Sequence, residues 1–168
     1  MNATIRPARQ TDVRSIHSLI RELAEYEKMP EQVELSCSDL EDHLFGSYSW
    51  AEANVACIST PEAKEVVAGF VLYFFIFDPI TLERVVYMED LYVRPEYRHR
   101  GLGLALWKSV ARRGVEKKCD VLNWTVLDWN EPSINFYLKQ GATNISLTKG
   151  YQRLRFTGAV IDTLLSES

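Results

Sequence analysis

A short basic stretch with two glycines, residues 98–103 (Arg-His-Arg-Gly-Leu-Gly), has the residue types needed to hold phosphate groups. The apolar residues 85–93 before it predict a strand, and Leu104 opens a predicted helix that runs toward Lys117. Glycines in such a turn let backbone N–H groups approach a ligand, and the positive end of the helix favours anionic oxygens. Arginines add charge-assisted hydrogen bonds to phosphate. The stretch therefore predicts a pyrophosphate site, and a turn whose glycines only permit tight packing explains these residues equally well.

The neighbouring residues exclude two common nucleotide-binding motifs. A dinucleotide-binding turn needs a third glycine and an acidic residue further on, and a P-loop needs Gly-Lys followed by Ser or Thr. Leu104, Ala105 and Leu106 supply neither pattern. The phosphate-bearing ligand is therefore predicted to belong to another class.

The composition is that of an ordinary globular protein. The chain has 168 residues, of which 46% are hydrophobic and 25% charged, and it is predicted to form one domain over residues 1–168. No apolar run is long enough to span a bilayer, and the N-terminus lacks the pattern of a secretion signal. We therefore expect no membrane association.

Cysteine and histidine usage bears on the compartment and on metal binding. The cysteines, Cys37, Cys57 and Cys119, are widely spaced and odd in number, which favours free thiols in a reducing cytoplasm. The histidines likewise form no cluster along the chain. We expect a cytoplasmic location and no metal cofactor.

Charge is distributed unevenly along the chain. The net charge is −4, which disfavours a general nucleic-acid-binding protein. Residues 22–42 are rich in acids, whereas residues 94–113 are rich in bases. Such runs are usually solvated helix faces. They are also expected in a protein that holds an anionic ligand at one place and attracts a cationic one at another.

The order of predicted elements indicates an α/β fold. Strands are predicted at residues 3–6, 55–58, 66–77, 85–93 and 121–126, with a terminal strand pair at 143–147 and 153–157. Thr11 is expected to cap the first helix, and residues 38–41 to form a capping box for the second. Asn130 is expected to cap a helix with Gly141 just beyond its end, and a last helix is predicted near residues 159–165. A mixed sheet with helices on both faces follows.

Motifs in a fixed order over nearly the whole chain carry a family resemblance. A strand, an Arg-x-x-Gly-x-Gly turn, a helix and a strand are followed by residues 130–137 (Asn-Glu-Pro-Ser-Ile-Asn-Phe-Tyr) and Gly141-Ala142. In these features the chain resembles the GCN5-related N-acetyltransferase (GNAT) superfamily, and more closely its spermidine/spermine and thialysine N-acetyltransferases. Further matching pieces are residues 5–8, 19–24, 26–27, 31–33 and 87–90. The resemblance implies the GNAT fold, a twisted mixed sheet of about seven strands flanked by helices on both faces.

The resemblance also implies a site for acetyl-coenzyme A, where the strand ending at Val93 separates from the next strand. Strand backbone would pair with the pantetheine arm, the turn would hold the pyrophosphate, and the start of a later helix would add contacts. The implied residues are Leu91, Tyr92 and Val93; Arg98, His99, Arg100, Gly101, Leu102, Gly103 and Leu104; and Asn130, Glu131, Pro132 and Ser133. Family members carry smaller residues where this chain has His99 and Arg100.

Two residues match the catalytic positions of the family. Tyr137 matches the general acid that returns a proton to the thiolate of coenzyme A, and Glu89 matches the general base. A base is needed because an alkyl amine with a pKa of about 10.4 is mostly protonated at neutral pH. Glu89 and Asp90 are expected to accept that proton, and a bulge would let both face the cleft, since adjacent strand residues otherwise point to opposite faces. No cysteine matches a nucleophile position, so direct attack in a ternary complex is expected.

The amine site implied by the resemblance is acidic, with one reversed charge. Its residues are Tyr26, Glu27, Asp78, Glu89, Asp90, Asn123, Trp124, Thr125 and Lys149. Polyamine-acetylating relatives have tryptophan where this chain has Ile80, and an acid where it has Lys149. A lysine there repels a second ammonium group and can bind a carboxylate. This favours thialysine or another lysine-like amino acid over a polyamine.

Several alternatives stay open. The acceptor could be a polyamine, a diamine or a protein amine, or the chain could be a non-catalytic coenzyme A-binding module. The presence of both Glu89 and Tyr137 argues against the last. The resemblance also implies a homodimer with the C-terminal strands as a contact. The negative net charge leads us to expect no nucleic-acid partner.

Overall fold

The computed structural model describes residues 3–59 and 65–150, which belong to two compact units, Met1–Thr125 and Val126–Ser168. The first unit contains a five-stranded mixed sheet in the order β1-β2-β3-β4-β5. The first four strands run antiparallel to one another, and β5 runs parallel to β4. The strands are β1 (Ala3–Pro7), β2 (Glu52–Ile58), β3 (Val66–Asp78), β4 (Glu83–Val93) and β5 (Val121–Trp124). A single domain over residues 1–168 stays a prediction.

Helices cover both faces of the sheet in this unit, as the sequence predicts. They are α1 (Val13–Tyr26), α2 (Cys37–Phe45) and α3 (Leu102–Glu116). Ala53 and Val55 of β2 belong to the core cluster that contains residues of α1 and α2. Asn54, between them, points to the other face, where its Nδ2 donates to Ser109 Oγ of α3 at 2.8 Å.

Both predicted N-terminal caps are displaced. Residues 10–12 form a 3₁₀ turn, so α1 begins at Val13 with Asp12, not Thr11, at its N-cap. Asp12 is held there because Arg6 donates to both its carboxylate oxygens, at 2.7 and 3.1 Å. The capping box of α2 is formed by Ser36 and Asp39 rather than by residues 38–41, because α2 begins at Cys37. Ser36 Oγ accepts from the Asp39 amide at 3.1 Å.

The second unit contains two short helices among its described residues, α4 (Glu131–Lys139) and α5 (Ile145–Lys149). The prediction for α4 is confirmed, since Asn130 is its N-cap and Oδ1 of Asn130 accepts from the Ser133 amide at 3.4 Å. The strand predicted at 143–147 is wrong, because Asn144 caps α5 there and accepts from the amides of Ser146 and Leu147. The sheet therefore has five strands among the described residues instead of seven. The strand predicted at 153–157 and the helix at 159–165 lie outside those residues.

None of the described helices is long and apolar enough to cross a membrane.

Candidate active site

The two parallel strands of the sheet separate part of the way along β4. Val85–Met88 pair with β5, whose last paired residue is Trp124, and β4 then continues to Val93. Residues 91–93 pair on their other side with residues 69–71 of β3. Their edge toward β5 therefore has no strand partner among the described residues. Such an edge offers backbone N–H and C=O groups to an extended ligand.

A β-bulge lies where the strands separate. Met88 pairs with Tyr73 and Asp90 pairs with Leu72, so Glu89 has no residue opposite it in β3. The extra residue bends a bulged strand and re-aims its side chains. Met88 is buried, Glu89 is exposed and Asp90 is partly buried. The alternation of faces is thus broken between the two acids, as expected if both are to face one cleft.

Asp90 has a strongly perturbed carboxyl group. Burial, followed by the negative charges of Glu89 and Glu27, raises the pKa of Asp90 to about 7. Burial also raises the pKa of Glu27, the C-cap residue of α1. The charges of two other carboxyl groups thus act on Asp90 beside the separated strands. The three groups form a site that favours a cation and that can accept a proton near neutral pH.

Three predicted amine-site residues lie at the end of β5 or directly after it. Asn123 pairs with Tyr87 and Trp124 with Met88, which is the residue before the bulge. Tyr87 Oη lies 3.4 Å from Thr125 Oγ1. The backbone register therefore brings the β5 residues next to the acids of β4.

The turn after β4 has the backbone of an anion-binding site. α3 begins at Leu102, two residues earlier than predicted, so Gly103 lies in its first turn. Gly101 is the N-cap with φ +76°, and His99 has φ +60° although it is not glycine. The first amides of a helix have no acceptor within the helix, and they carry its positive end. Amides of residues 102–104 are therefore available to an anionic group.

Gly103 is not required by packing. A Cβ added at this position meets no atom of another described part of the structure within 4 Å, apart from its own helix turn, and its φ is not in the left-handed region. Gly101 has equally open surroundings, but its φ of +76° disfavours other residues. The open space over Gly103 fits a bound group that approaches the backbone.

The arginines of the turn have protein partners. Arg98 Nε donates to the carbonyl of Val93 at 2.7 Å, and its guanidinium carbon lies 5.4 Å from the ring centre of Tyr26. Arg100 Nη2 donates to the carbonyl of Glu96 at 3.3 Å, and its guanidinium carbon lies 5.8 Å from the Tyr97 ring. The phosphate-binding capacity of the turn therefore rests first on backbone amides.

In the second unit, Tyr137 and Asn130 are the buried members of α4 and its cap. Tyr137 is 9% exposed, and its ring centre lies 5.1 Å from that of Phe136. Burial raises the pKa of Tyr137, so the phenol keeps its proton at neutral pH. Glu131, Pro132 and Ser133 form the first turn of the helix.

One predicted amine-site residue, Asp78, is not brought to the acids of β4. Asp78 ends β3, and its Oδ1 accepts from the amides of Ile80 and Thr81 in the hairpin turn. It lies about 20 Å along the strand from Leu72, the partner of Asp90. Lys149 ends α5, and its side chain is outside the described part of the structure.

Sequence reasoning missed two features. One is Trp107 of α3, whose ring packs edge-on against Trp124 at 6.1 Å. Its Nε1 is buried without a hydrogen-bond partner among the described residues. The other is the raised pKa of Asp90. The family motif instead matched Glu89 to the general base. Neither has a local signal, because burial depends on packing between elements.

No group of three or more His, Cys, Asp or Glu residues that could hold a metal ion occurs in residues 3–59 and 65–150.

Comparisons with known proteins agree with this geometry. Residues 14–142 match the Acetyltransferase (GNAT) family. The chain is 39% identical to a thialysine N-epsilon-acetyltransferase of Mus musculus over 157 residues, which are 92% of each protein. It is 32% identical over 154 residues to the human spermidine/spermine N(1)-acetyltransferase-like protein 1, covering 90% of this chain and 22% of that protein. A solved integron cassette protein of V. cholerae is 26% identical, with a TM-score of 0.75 and 98% of both chains covered.

Proposed function

Because this chain belongs to the Acetyltransferase (GNAT) family, we propose that it acetylates the side-chain amine of thialysine or a similar lysine-like amino acid. The observation that carries the proposal is the raised pKa of Asp90, about 7. Asp90 lies on the part of β4 that no longer pairs with β5. A site that binds a cationic amine and then removes its proton needs such a group. An N-acetyltransferase of this family uses acetyl-coenzyme A, which supplies an acyl carbon activated as a thioester.

The chain's own groups fit that cofactor. We assign the unpaired edge of Leu91, Tyr92 and Val93 to the pantetheine arm. We assign the amides of residues 99–104 to the pyrophosphate, and residues 130–133 to further contacts. The open space above Gly103 supports the assignment, since a residue kept small for packing would have near neighbours.

The variant Gly103→Ala separates a ligand-binding role from a packing role. Alanine favours a helix by up to about 1 kcal/mol over glycine, and the added Cβ has no near neighbour outside its own helix turn among residues 3–59 and 65–150. We therefore expect an unchanged or higher melting temperature together with an affinity for coenzyme A that is lower by about tenfold or more. Calorimetric titration with coenzyme A and a thermal melt measure the two effects.

Gly46→Ala is the matched control in another helix terminus, because a Cβ there would lie 2.4 Å from the carbonyl oxygen of Asp42. It should lower the melting temperature and leave the affinity of the folded protein for coenzyme A unchanged. Normal coenzyme A binding by Gly103→Ala contradicts the assigned pyrophosphate site.

We assign proton removal to the pair Glu89 and Asp90, with the proton carried by Asp90. Transfer from an ammonium of pKa about 10.4 costs about 9 kcal/mol to an ordinary aspartate and about 5 kcal/mol to an acid of pKa about 7. Glu89 and Glu27 contribute by making the protonated form of Asp90 more favourable. The neutral amine then attacks the thioester carbon directly and the C–S bond breaks. The nitrogen loses its second proton, which replaces the proton that is given to the departing sulfur.

We assign the return of a proton to the departing sulfur to Tyr137. Its buried phenol is neutral over the working range of pH and therefore has a proton to give. A thiol has a pKa of about 8.5, so its thiolate is a competent acceptor when a donor is held next to it.

The amino-acid acceptor is favoured over a polyamine by two positions. Ile80, which is 92% exposed, stands where polyamine-acetylating relatives carry tryptophan, and Lys149 stands where they carry an acid. The thialysine acetyltransferase of Mus musculus is also more similar to this chain than the human spermidine/spermine-like protein. Polyamine acetylation is the second candidate, which the acidic residues Glu27, Glu89 and Asp90 also support.

An amine panel with acetyl-coenzyme A tests the substrate. We expect the wild-type kcat/KM for thialysine to exceed that for spermidine, and Lys149→Glu to shift this ratio toward spermidine by about tenfold or more. Lys139→Glu makes the same change in net charge on α4 and should leave the ratio unchanged. A wild-type preference for spermidine contradicts the amino-acid acceptor. No thiol release with any amine supports the non-catalytic alternative.

We also propose that the protein works as a homodimer in the cytoplasm. The hairpin of β3 and β4 exposes apolar side chains at its tip, among them Phe77 (59%) and Ile80 (92%). A second copy that packs against this tip would remove these side chains from water. The free thiols Cys37, Cys57 and Cys119 suit a reducing compartment.

Sedimentation velocity tests the dimer. The double variant Phe77→Lys/Ile80→Lys should sediment as a monomer, because charges replace the apolar tip. Val115→Lys, at another exposed apolar residue (74%), should sediment as the wild type does. A wild-type monomer at micromolar concentration rules the proposal out.

A further inference from the structure

Two arginines that follow β4 contact the end of α1. Arg94 Nε lies 3.0 and 3.1 Å from the carboxylate oxygens of Glu22, and its Nη2 lies 2.8 Å from one of them. Four residues later in both segments, the guanidinium of Arg98 lies over the ring of Tyr26. Both contacts thus join the same face of α1 to the same turn, one helical turn apart.

The second contact differs from the first in what it joins. Arg98 lies at the start of the turn whose amides face the predicted pyrophosphate, and its Nε is fixed to the carbonyl of Val93. Its guanidinium carbon also lies 5.3 Å from the ring centre of Tyr92, which is only 7% exposed. Tyr26 is 38% exposed and is the last residue of α1. Arg98 therefore joins a rigid ring on the strand to a more exposed ring at the edge of the amine site.

The residue after Tyr26 acts on the acid of the reaction. Glu27 is the C-cap of α1, and its charge is one of those that act on Asp90. A shift of Tyr26 moves Glu27 with it, because the two residues share a backbone at a helix end. The contacts thus form a continuous path from the phosphate-binding turn to the carboxyl cluster.

We propose that Arg98 is a positioning residue that couples the cofactor turn to the amine site through the ring of Tyr26. The inference rests on the proposed function, since it requires both ligands. A phosphate at the turn attracts the guanidinium, which changes its contact with Tyr26 and hence the position of Glu27. Because coupling between two sites is reciprocal, the amine must in turn raise the affinity for the cofactor.

A purely structural role for Arg98 is already served by its neighbour. The bidentate ion pair of Arg94 with Glu22 holds α1 against the turn, with both side chains less than one third exposed. A cation–π contact at the more exposed Tyr26 adds little to that attachment. The contact between Arg98 and Tyr26 can therefore change when a ligand binds, while the Arg94–Glu22 ion pair keeps α1 in place.

The test measures coupling by calorimetric titration with coenzyme A, with and without saturating thialysine. Coenzyme A gives a dead-end complex, so no turnover disturbs the titration. We expect the wild-type affinity for coenzyme A to rise about threefold to tenfold when thialysine is present. In Arg98→Met the factor should fall to about one. Tyr26→Leu should do the same, and the double variant should show no further loss.

Arg100→Met is the matched control, because Arg100 lies in the same turn over Tyr97 rather than over α1. It should weaken coenzyme A binding and keep the wild-type coupling factor. Thermal melts check folding, and Tyr26→Leu tests the same contact from the other side if Arg98→Met is unstable. Three results overturn the inference: thialysine does not change the coenzyme A affinity of the wild type, Arg98→Met keeps the wild-type coupling factor, or Arg100→Met loses the coupling as fully as Arg98→Met does.

Failure of the proposed function has a different signature in the same experiment. A wild-type protein that does not bind coenzyme A refutes the function itself. One that binds coenzyme A but not thialysine refutes only the amino-acid acceptor, and the coupling is then measured with spermidine.

Discussion

Replacing Asp90 with asparagine is expected to lower kcat/KM by about 10²- to 10⁴-fold, the usual contribution of a general base. In the wild type, kcat/KM should rise with pH through about 7 and then level off, since only the carboxylate of Asp90 accepts the proton. Asparagine has no such titration, so the acidic limb of the profile should disappear. Initial rates between pH 5 and 9 measure both effects.

The same variant should be more stable than the wild type. The pKa of Asp90 is raised in the folded protein to about 7, so the folded state binds this proton more tightly than the unfolded chain does. Stability is therefore lost as pH rises from about 4 to about 7, and it is not regained above that range. Asparagine does not ionise, and the free energy of unfolding at pH 8 should rise by about 1 to 3 kcal/mol. At pH 4 the two proteins should melt at nearly the same temperature.

Glu89→Gln is the matched variant at the bulge. Removing its charge should lower the pKa of Asp90 and move the acidic limb of the profile below 7, while the limb itself remains. The reverse result, a lost limb in Glu89→Gln and a retained one in Asp90→Asn, assigns the base to Glu89. A lower melting temperature of Asp90→Asn at pH 8 contradicts the raised pKa.

The glycine turn shows how much of the site was predictable from local sequence. Residues 98–103 and the flanking apolar segments predicted a strand, a turn and a helix, and these follow one another in the structure. Helix N-termini and residues with left-handed backbone conformations depend on a few neighbouring residues, so they can be predicted from the local sequence. His99 has φ +60°, a backbone conformation that disfavours residues with a Cβ. This explains why family members carry smaller residues at its position.

The bulge and the caps show where local sequence fails. Residues 88–91 contain no glycine or proline that marks a bulge, because its position is set by the pairing of β4 with β3. Thr11 and Asp12 are both good N-cap residues, and the choice between them depends on Arg6 in a separate strand. By contrast, the sequence does carry signals for the helix at residues 145–149. Asn144 precedes it as an N-cap residue, and Gly150 follows it with φ +66°. Its apolar residues were assigned to a strand because the short segment fits either pattern.

The remaining large effect concerns the proton that the departing thiolate receives. Tyr137→Phe should lower kcat by about 10²-fold or more, because the departing thiolate loses its proton donor. Phenylalanine keeps the ring and its edge-on packing against Phe136, so the melting temperature and the affinity for coenzyme A should change little. The kcat of the wild type should stay flat above pH 8, since burial raises the pKa of the phenol beyond that range.

Phe136→Leu is the control on the same helix, and it should cost far less activity because it removes no proton. Stopped-flow measurement of thiol release at saturating amine separates the chemical step from product release. A Tyr137→Phe protein with the wild-type rate of thiol release contradicts the assigned acid. The loss should also be independent of the loss in Asp90→Asn, because the two groups act on different protons. A double variant that is no slower than either single one would mean that both act on the same step through one shared group.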